Sequence, residues 1–179
     1  MSQIEPSIQR QGVLFTTARL LVRQFQPADL DDFATLCADA AVMRYMGDGT
    51  LLPRAEVARW IDICQHKYTQ RGYGTSAVFE RASGRFIGYC GVVRAPDHDF
   101  DELVYAYHVD SWGQGYATEA GRAMLDYVFV RSDLDCIYAT IVAENGASIH
   151  VVQKLGMHFE KQVIDEDGVA VDYYVVKRA

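Results

Sequence analysis

Residues 111–121, SWGQGYATEAG, constrain the fold more than any other part of the chain. Ahead of them, residues 102–109 contain neither Pro nor Gly and are rich in Tyr and Val, as a strand is. Behind them, Ala117, Ala120, Met124, Leu125 and Val128 recur at helical spacing, with Glu119 near the start of that helix. A strand, a short glycine turn and a helix gather several backbone N–H groups in one loop. The positive end of the helix dipole then points at whatever fills the loop. Such a nest suits an anion, and Gly113 and Gly115 omit two side chains that would hold phosphate oxygens away. On the turn alone, a purely structural connection is an equal reading. Two other phosphate loops fit poorly. Thr118 stands where the dinucleotide fingerprint needs glycine, and no Gly-Lys-Ser/Thr triplet follows.

The rest of the chain predicts one continuous α/β domain. Its 179 residues suffice for one full core and not for two, with a flexible polar tail over 1–12 and a single domain over 13–179. Residues 14–17 lead into a first strand over 18–25. Pro27 then opens a helix with Asp29, Asp31 and Asp32 near its positive end and Leu30, Phe33, Ala34 and Cys37 as its buried stripe. A short helical turn ends at Gly47. A longer helix starts at Pro53, with Val57, Trp60, Ile61, Cys64 and Tyr68 on one face. A β-meander over 75–81, 85–94 and 102–109 precedes the glycine loop. Strand 136–142 and a helix carrying Ser148, Val151, Val152 and Leu155 on one face follow it, with Gly156 as the cap. Strands 157–164 and 169–177 close the chain around the acidic turn 165–168. The successive strand–helix units 102–131 and 136–156 predict adjacent parallel strands.

Three further segments decide between the turn and the phosphate nest. SWGQGYATEAGRAML resembles the acetyl-CoA pyrophosphate loop of the GNAT N-acetyltransferases, in the branch typified by the ribosomal-protein acetyltransferases RimJ and RimL. Trp112-Gly113-Gln114-Gly115-Tyr116-Ala117 occupies the general signature Gln/Arg-x-x-Gly-x-Gly/Ala, with Trp112 departing at the first position. TARLLVRQFQPADLDDF is similar to the branch's opening TxRLxLRxxxxxD, and FIGYCGVV also resembles the family. NGASIHVVQKLGM resembles the family's Asn-x-x-Ser run ending Lys-Leu-Gly-Phe, with Met157 in place of Phe.

The resemblance implies the GNAT fold: a mixed, mostly antiparallel central sheet with splayed parallel fourth and fifth strands, flanked by helices. It implies acetyl-CoA as cosubstrate, its pantetheine arm lying between those strands against the backbone of Tyr105, Ala106 and Tyr107. The pyrophosphate is then expected on the N–H groups of Gly113, Gln114, Gly115, Tyr116, Ala117 and Thr118, next to Trp112. The Gln114 side chain and the Thr118 hydroxyl are candidates for added hydrogen bonds, and a solvated turn position is the other reading of Gln114.

Acetyl transfer to an amine needs a base, a donor for the oxyanion and a proton or screen for the thiolate. The resemblance offers Glu102 as base or water-holder, against the plainer reading of an exposed strand-end carboxylate. Ser148, polar on an apolar stripe, is either the donor to the departing thiolate or a hydroxyl bonded to its own helix. Asn145 is either a pantetheine contact or a helix cap. A backbone N–H near Tyr107 is the candidate for polarising the thioester carbonyl. His108 titrates in a useful range, yet lies about 20 Å beyond Glu102 along the strand and is read as loop structure.

A net charge of −7 argues against nonspecific binding to nucleic acid or anionic membrane, and it suits a cationic acceptor as well as mere solubility. The expected acceptor is a primary amine, on a small molecule or a protein N-terminus; the resemblance offers Met43, Tyr45, Met46 and Trp60 as residues at its entrance, against the plainer reading of core packing for each. Cys37, Cys64, Cys90 and Cys136 lie far apart with no C-x-x-C pair, so no metal site is expected. No cysteine has an evident His partner, which favours direct attack in a ternary complex over an acetyl-cysteine route. Without a signal-like or membrane-length apolar run, the expected location is cytoplasmic. A homodimer is a family expectation only. The rival class is a CoA-binding sensor that has lost catalysis; a transferase of longer acyl chains is a further alternative.

Overall fold

The computed structural model describes residues 12–96 and 98–178. The tail expected over 1–12 thus lies outside the described residues, apart from Gly12, whose carbonyl accepts the Gln24 N–H at 2.9 Å. Among the described residues eight strands form one sheet. They are β1 (Val13–Thr16), β2 (Leu20–Gln24), β3 (Thr75–Glu80), β4 (Phe86–Arg94), β5 (Asp101–Tyr107), β6 (Cys136–Val142), β7 (His158–Ile164) and β8 (Ala170–Lys177). Their spatial order is β1-β2-β3-β4-β5-β6-β8-β7, and only β5 and β6 run parallel.

The expected single first strand is a hairpin instead. Thr17 turns the chain: its N–H bonds the Leu20 carbonyl at 2.9 Å, and its hydroxyl accepts the Leu20 N–H at 3.0 Å. A Ser/Thr side chain that bonds a nearby N–H breaks a strand in this way. The fourth and fifth strands of the sequence reading are therefore β5 and β6.

Helices cover both faces. On one lie α1 (Leu30–Cys37), α2 (Ala40–Met43) and α3 (Arg54–Arg71); on the other lie α4 (Tyr116–Arg131) and α5 (Gly146–Lys154). Strand alternation divides the core between them. Along β5, Val104 and Ala106 pack with Phe33, Val57, Ile61 and Tyr89, while Leu103, Tyr105 and Tyr107 pack with Met124, Val128, Val152 and Leu155. Phe33 stacks on Phe25 with centroids 4.5 Å apart and meets Trp60 at 4.9 Å. Burying such a side chain contributes about 1.5–3 kcal/mol.

One acid of the predicted helix start has a different role. Asp29 ends a 3-10 turn, Pro27–Asp29, before α1 begins. Its carboxylate accepts from Nη1 and Nη2 of Arg23, at 2.7 and 2.6 Å, and from the Gln26 N–H at 2.7 Å. Arg23 and Asp29 are both buried, so the pair bolts β2 to the helical layer.

The site follows from one irregularity of the sheet. β4 and β5 pair at seven positions, from Gly88↔Tyr107 to Arg94↔Asp101. β5 and β6 pair only at Glu102↔Tyr138, after which β6 turns to β8 for its full length. From Leu103 onward the edge of β5 that faces β6 is left open.

Candidate active site

The loop between β5 and α4 is shaped by two glycines. Gly113 and Gly115 adopt φ of +72° and +79°, and Gly115 is the left-handed N-cap of α4. A Cβ at Gly113 would meet no atom within 4 Å, so backbone conformation rather than crowding requires glycine there. Side chains fasten the loop. The Trp112 indole donates to the Tyr107 carbonyl at 2.7 Å, and the Gln114 amide donates to the Asp110 carbonyl at 2.8 Å. Arg85 pairs with Asp110 at 2.5 Å, and the Tyr116 hydroxyl donates to Glu80 at 2.6 Å. The main-chain amides of residues 113–118, in contrast, find no acceptor among the described residues. Six adjacent N–H groups at a helix start are left for a guest or solvent.

Gly113 and residues 115–118 border a cleft of about 970 Å³ running along the gap between β5 and β6. Tyr105, Ala106 and Tyr107 line one wall, Ala139 to Val142 the other, and Asn145 and Ser148 the start of α5. The His108 N–H bonds the Ile87 carbonyl at 2.9 Å. Alternation therefore turns the main-chain groups of Tyr107 and Tyr105 away from β4 and into the gap. The far end reaches Arg44, Tyr45 and Met46 after α2, and Asp165 and Val171 at the β7–β8 hairpin. Trp60, by contrast, packs on Phe33 and Tyr89, and Met43 is buried.

Glu102 lies on that cleft five residues before Tyr107, about 17 Å away along the strand. It is half-buried rather than an exposed strand-end carboxylate, and its Oε2 accepts the Thr140 hydroxyl at 2.5 Å. Burial raises its pKa; the Thr140 hydrogen bond and the charge of His98 offset this only in part. A carboxylate of raised basicity at a cleft wall accepts a proton more readily than a solvated one. His108 sits outside β5, its ring edge-on to Phe86 at 5.9 Å, and burial lowers its pKa.

Asn145 caps α5, its side-chain oxygen accepting the Ser148 N–H at 3.2 Å. Ser148 borders the cleft beside Tyr105: its carbonyl accepts the Tyr105 hydroxyl at 3.3 Å, and its side chain, within reach of the same phenol, partly offsets the rise that burial gives the Tyr105 pKa. The Cys37, Cys64 and Cys90 thiols are pushed up to about 12 by burial, the opposite of nucleophile activation.

Sequence reasoning missed three residues that hold the loop from outside: Thr17, Arg19 and Glu119. The Glu119 carboxylate accepts the Thr17 hydroxyl at 2.6 Å, the Arg19 N–H at 3.0 Å and the Arg19 Nε at 2.7 Å. Arg19 also reaches the Gln114 carbonyl at 2.9 Å. All three lie in segments whose resemblance was noted, but their convergence across a hundred residues has no local signal.

A sheet opened between two parallel strands, with a loop of acceptorless amides at its mouth, is the architecture expected of a GNAT-type acyltransferase. Residues 19–158 match the family model described as an acetyltransferase (GNAT) domain, and the chain belongs to that family. Among individual relatives, it is 34% identical over 135 residues to the protein YkkB of Bacillus subtilis, covering 73% of this chain and 76% of that one. It is 26% identical over 149 residues to the spermidine N(1)-acetyltransferase of Escherichia coli K12, covering 81% and 76%. The solved structure of RimL, a ribosomal L7/L12 α-N-protein acetyltransferase in complex with coenzyme A, superposes with a TM-score of 0.80 at 15% identity, covering 92% of this chain and 97% of that one.

Proposed function

We propose that the protein is an acetyl-CoA-dependent N-acetyltransferase of the RimJ/RimL-like branch. It moves an acetyl group to a primary amine by direct attack within a ternary complex in the cytoplasm. The observation that carries this reading is the run of acceptorless amides at 113–118, set at the mouth of a cleft whose β5 edge is open. The cleft fits a long, thin ligand with a diphosphate at one end. The loop amides hold the diphosphate, and the main-chain groups of Tyr105 together with the Tyr107 N–H hydrogen-bond the arm as an added strand would, the Tyr107 carbonyl being held by Trp112. Acetyl-CoA, when bound, supplies the activated acyl group.

Each remaining role falls to a side chain on the cleft wall. Glu102 takes a proton from the incoming ammonium, directly or through a water, because burial has made it a better base. Ser148 offers its hydroxyl to the leaving sulfur. Asn145 fixes the first turn of α5, and hence Ser148, in place. The acceptor enters past Arg44, Tyr45 and Met46, residues outside the recognised motifs. A relative that acetylates spermidine and a structural neighbour that acetylates a protein α-amine both support an amine, of either size.

The test is a CoA titration followed by a thiol-release screen across polyamines, amino acids, aminoglycosides and short peptides. Release of thiol with at least one amine is the expected result. CoA binding without release for any amine would favour the sensor.

A further inference from the structure

We propose that Arg19 is a positioning residue for the diphosphate, acting through the Gln114–Gly115 peptide and through Glu119; this rests on the functional reading above. Its guanidinium bridges two acceptors. Nη1 donates to the Gln114 carbonyl at 2.9 Å, while Nε and Nη2 each lie 2.7 Å from Glu119 Oε2. The peptide bond is planar and trans, so a carbonyl held toward Arg19 turns the Gly115 N–H the opposite way. Gly115 lines the cleft, and its amide has no acceptor among the described residues. Arg19 thereby fixes the orientation of one donor of the nest.

The second contribution is electrostatic. Glu119 is in the first turn of α4, where a carboxylate stabilises the helix but repels an anion bound at the same end. Its side chain is only 19% exposed, so solvent screens it weakly. Arg19 sits against that charge and over the Tyr116 ring, 4.6 Å from its centroid, and cancels the repulsion. The Thr17 hydroxyl holds the other carboxylate oxygen, and Arg81 holds the Thr17 carbonyl at 2.7 Å. The β1–β2 turn is thus a buttress for the loop, built by the first of the recognised segments.

Titration of CoA and of S-acetylpantetheine, which lacks the diphosphate, tests this on three proteins: wild type, Arg19→Gln and the double variant Arg19→Gln/Glu119→Gln. Arg19→Gln is expected to bind CoA about tenfold more weakly and S-acetylpantetheine within about twofold of wild type. The double variant, free of the stranded carboxylate, is expected to regain about threefold in CoA affinity. If Arg19→Gln melts below the assay temperature, Arg19→Lys replaces it. That variant keeps the charge but not the fork, and is expected to lose about threefold for CoA alone. Unchanged CoA affinity, or equal loss for both ligands, overturns the proposal, as does a double variant no better than the single one. Wild type failing to bind CoA overturns the functional reading itself.

Discussion

Gly113 and Gly72 allow the loop's binding role to be separated from its backbone role. Both are left-handed, at φ +72° and +75°, and at both a Cβ would meet no atom within 4 Å. Gly72 caps α3, away from the cleft; Gly113 lines it. Alanine at either position carries the same backbone strain, about 1–2 kcal/mol for an L-residue in that region. For a chain of this size about 1 kcal/mol lowers Tm by about 2–4 °C. Gly72→Ala and Gly113→Ala are therefore expected to melt together, several degrees below wild type. Only Gly113→Ala also adds a methyl group to the lining of the cleft, beside the free amides. Loss of one hydrogen bond to a charged ligand, about 1.5–3 kcal/mol, then weakens CoA by about 10–100-fold. Thermal melts and calorimetric titration with CoA measure the two effects. Equal melting with unchanged CoA affinity in Gly113→Ala would refute the nest and leave a simple turn.

Glu102→Gln is expected to lower kcat by about two to four powers of ten. The folded pKa of Glu102 is raised, so its stabilising contribution is complete below the unfolded value and lost as pH rises through the folded one. The same variant should accordingly melt slightly above wild type at pH 7.5, while wild-type kcat/KM rises with pH through the raised pKa. Ser148→Ala should slow thiol release far more than it weakens CoA binding, measured by stopped flow and calorimetry; equal losses would remove its proton-donor role. Asp29→Ala strands a buried guanidinium and should destabilise by about 3–5 kcal/mol in urea melts, with any CoA effect following from unfolding alone.

The loop, the parallel pair and the helical stripes were legible because each is local. Alternation along β5 and the spacing of Val57, Ile61, Cys64 and Tyr68 are short-range patterns that burial then uses. What was not legible is convergence. Asp29 reads as one acid among three at a helix start, and nothing nearby tells that Arg23 will cross from β2 to meet it. Glu102 reads as a strand-end charge, because the Thr140 hydroxyl that joins it comes from β6, 38 residues on. Arg19, Thr17 and Glu119 are ordinary residues until the β1–β2 hairpin folds against α4. The hairpin itself escaped notice because Thr17 breaks the strand with a side-chain bond that propensity does not register. The acceptor end was legible only in part: Tyr45 and Met46 were expected there and border the cleft, whereas Asp165 and Val171 reach it from the β7–β8 hairpin without a local signal.

Backbone amide NMR during titration with CoA addresses the amides directly. Saturable, one-to-one shifts concentrated at residues 113–118 and along Tyr105 and Tyr107 are predicted, with the loop amides moving downfield as they meet the diphosphate. Binding that leaves those amides where they were, or no binding at all, would contradict the placement of the cofactor in the opened sheet.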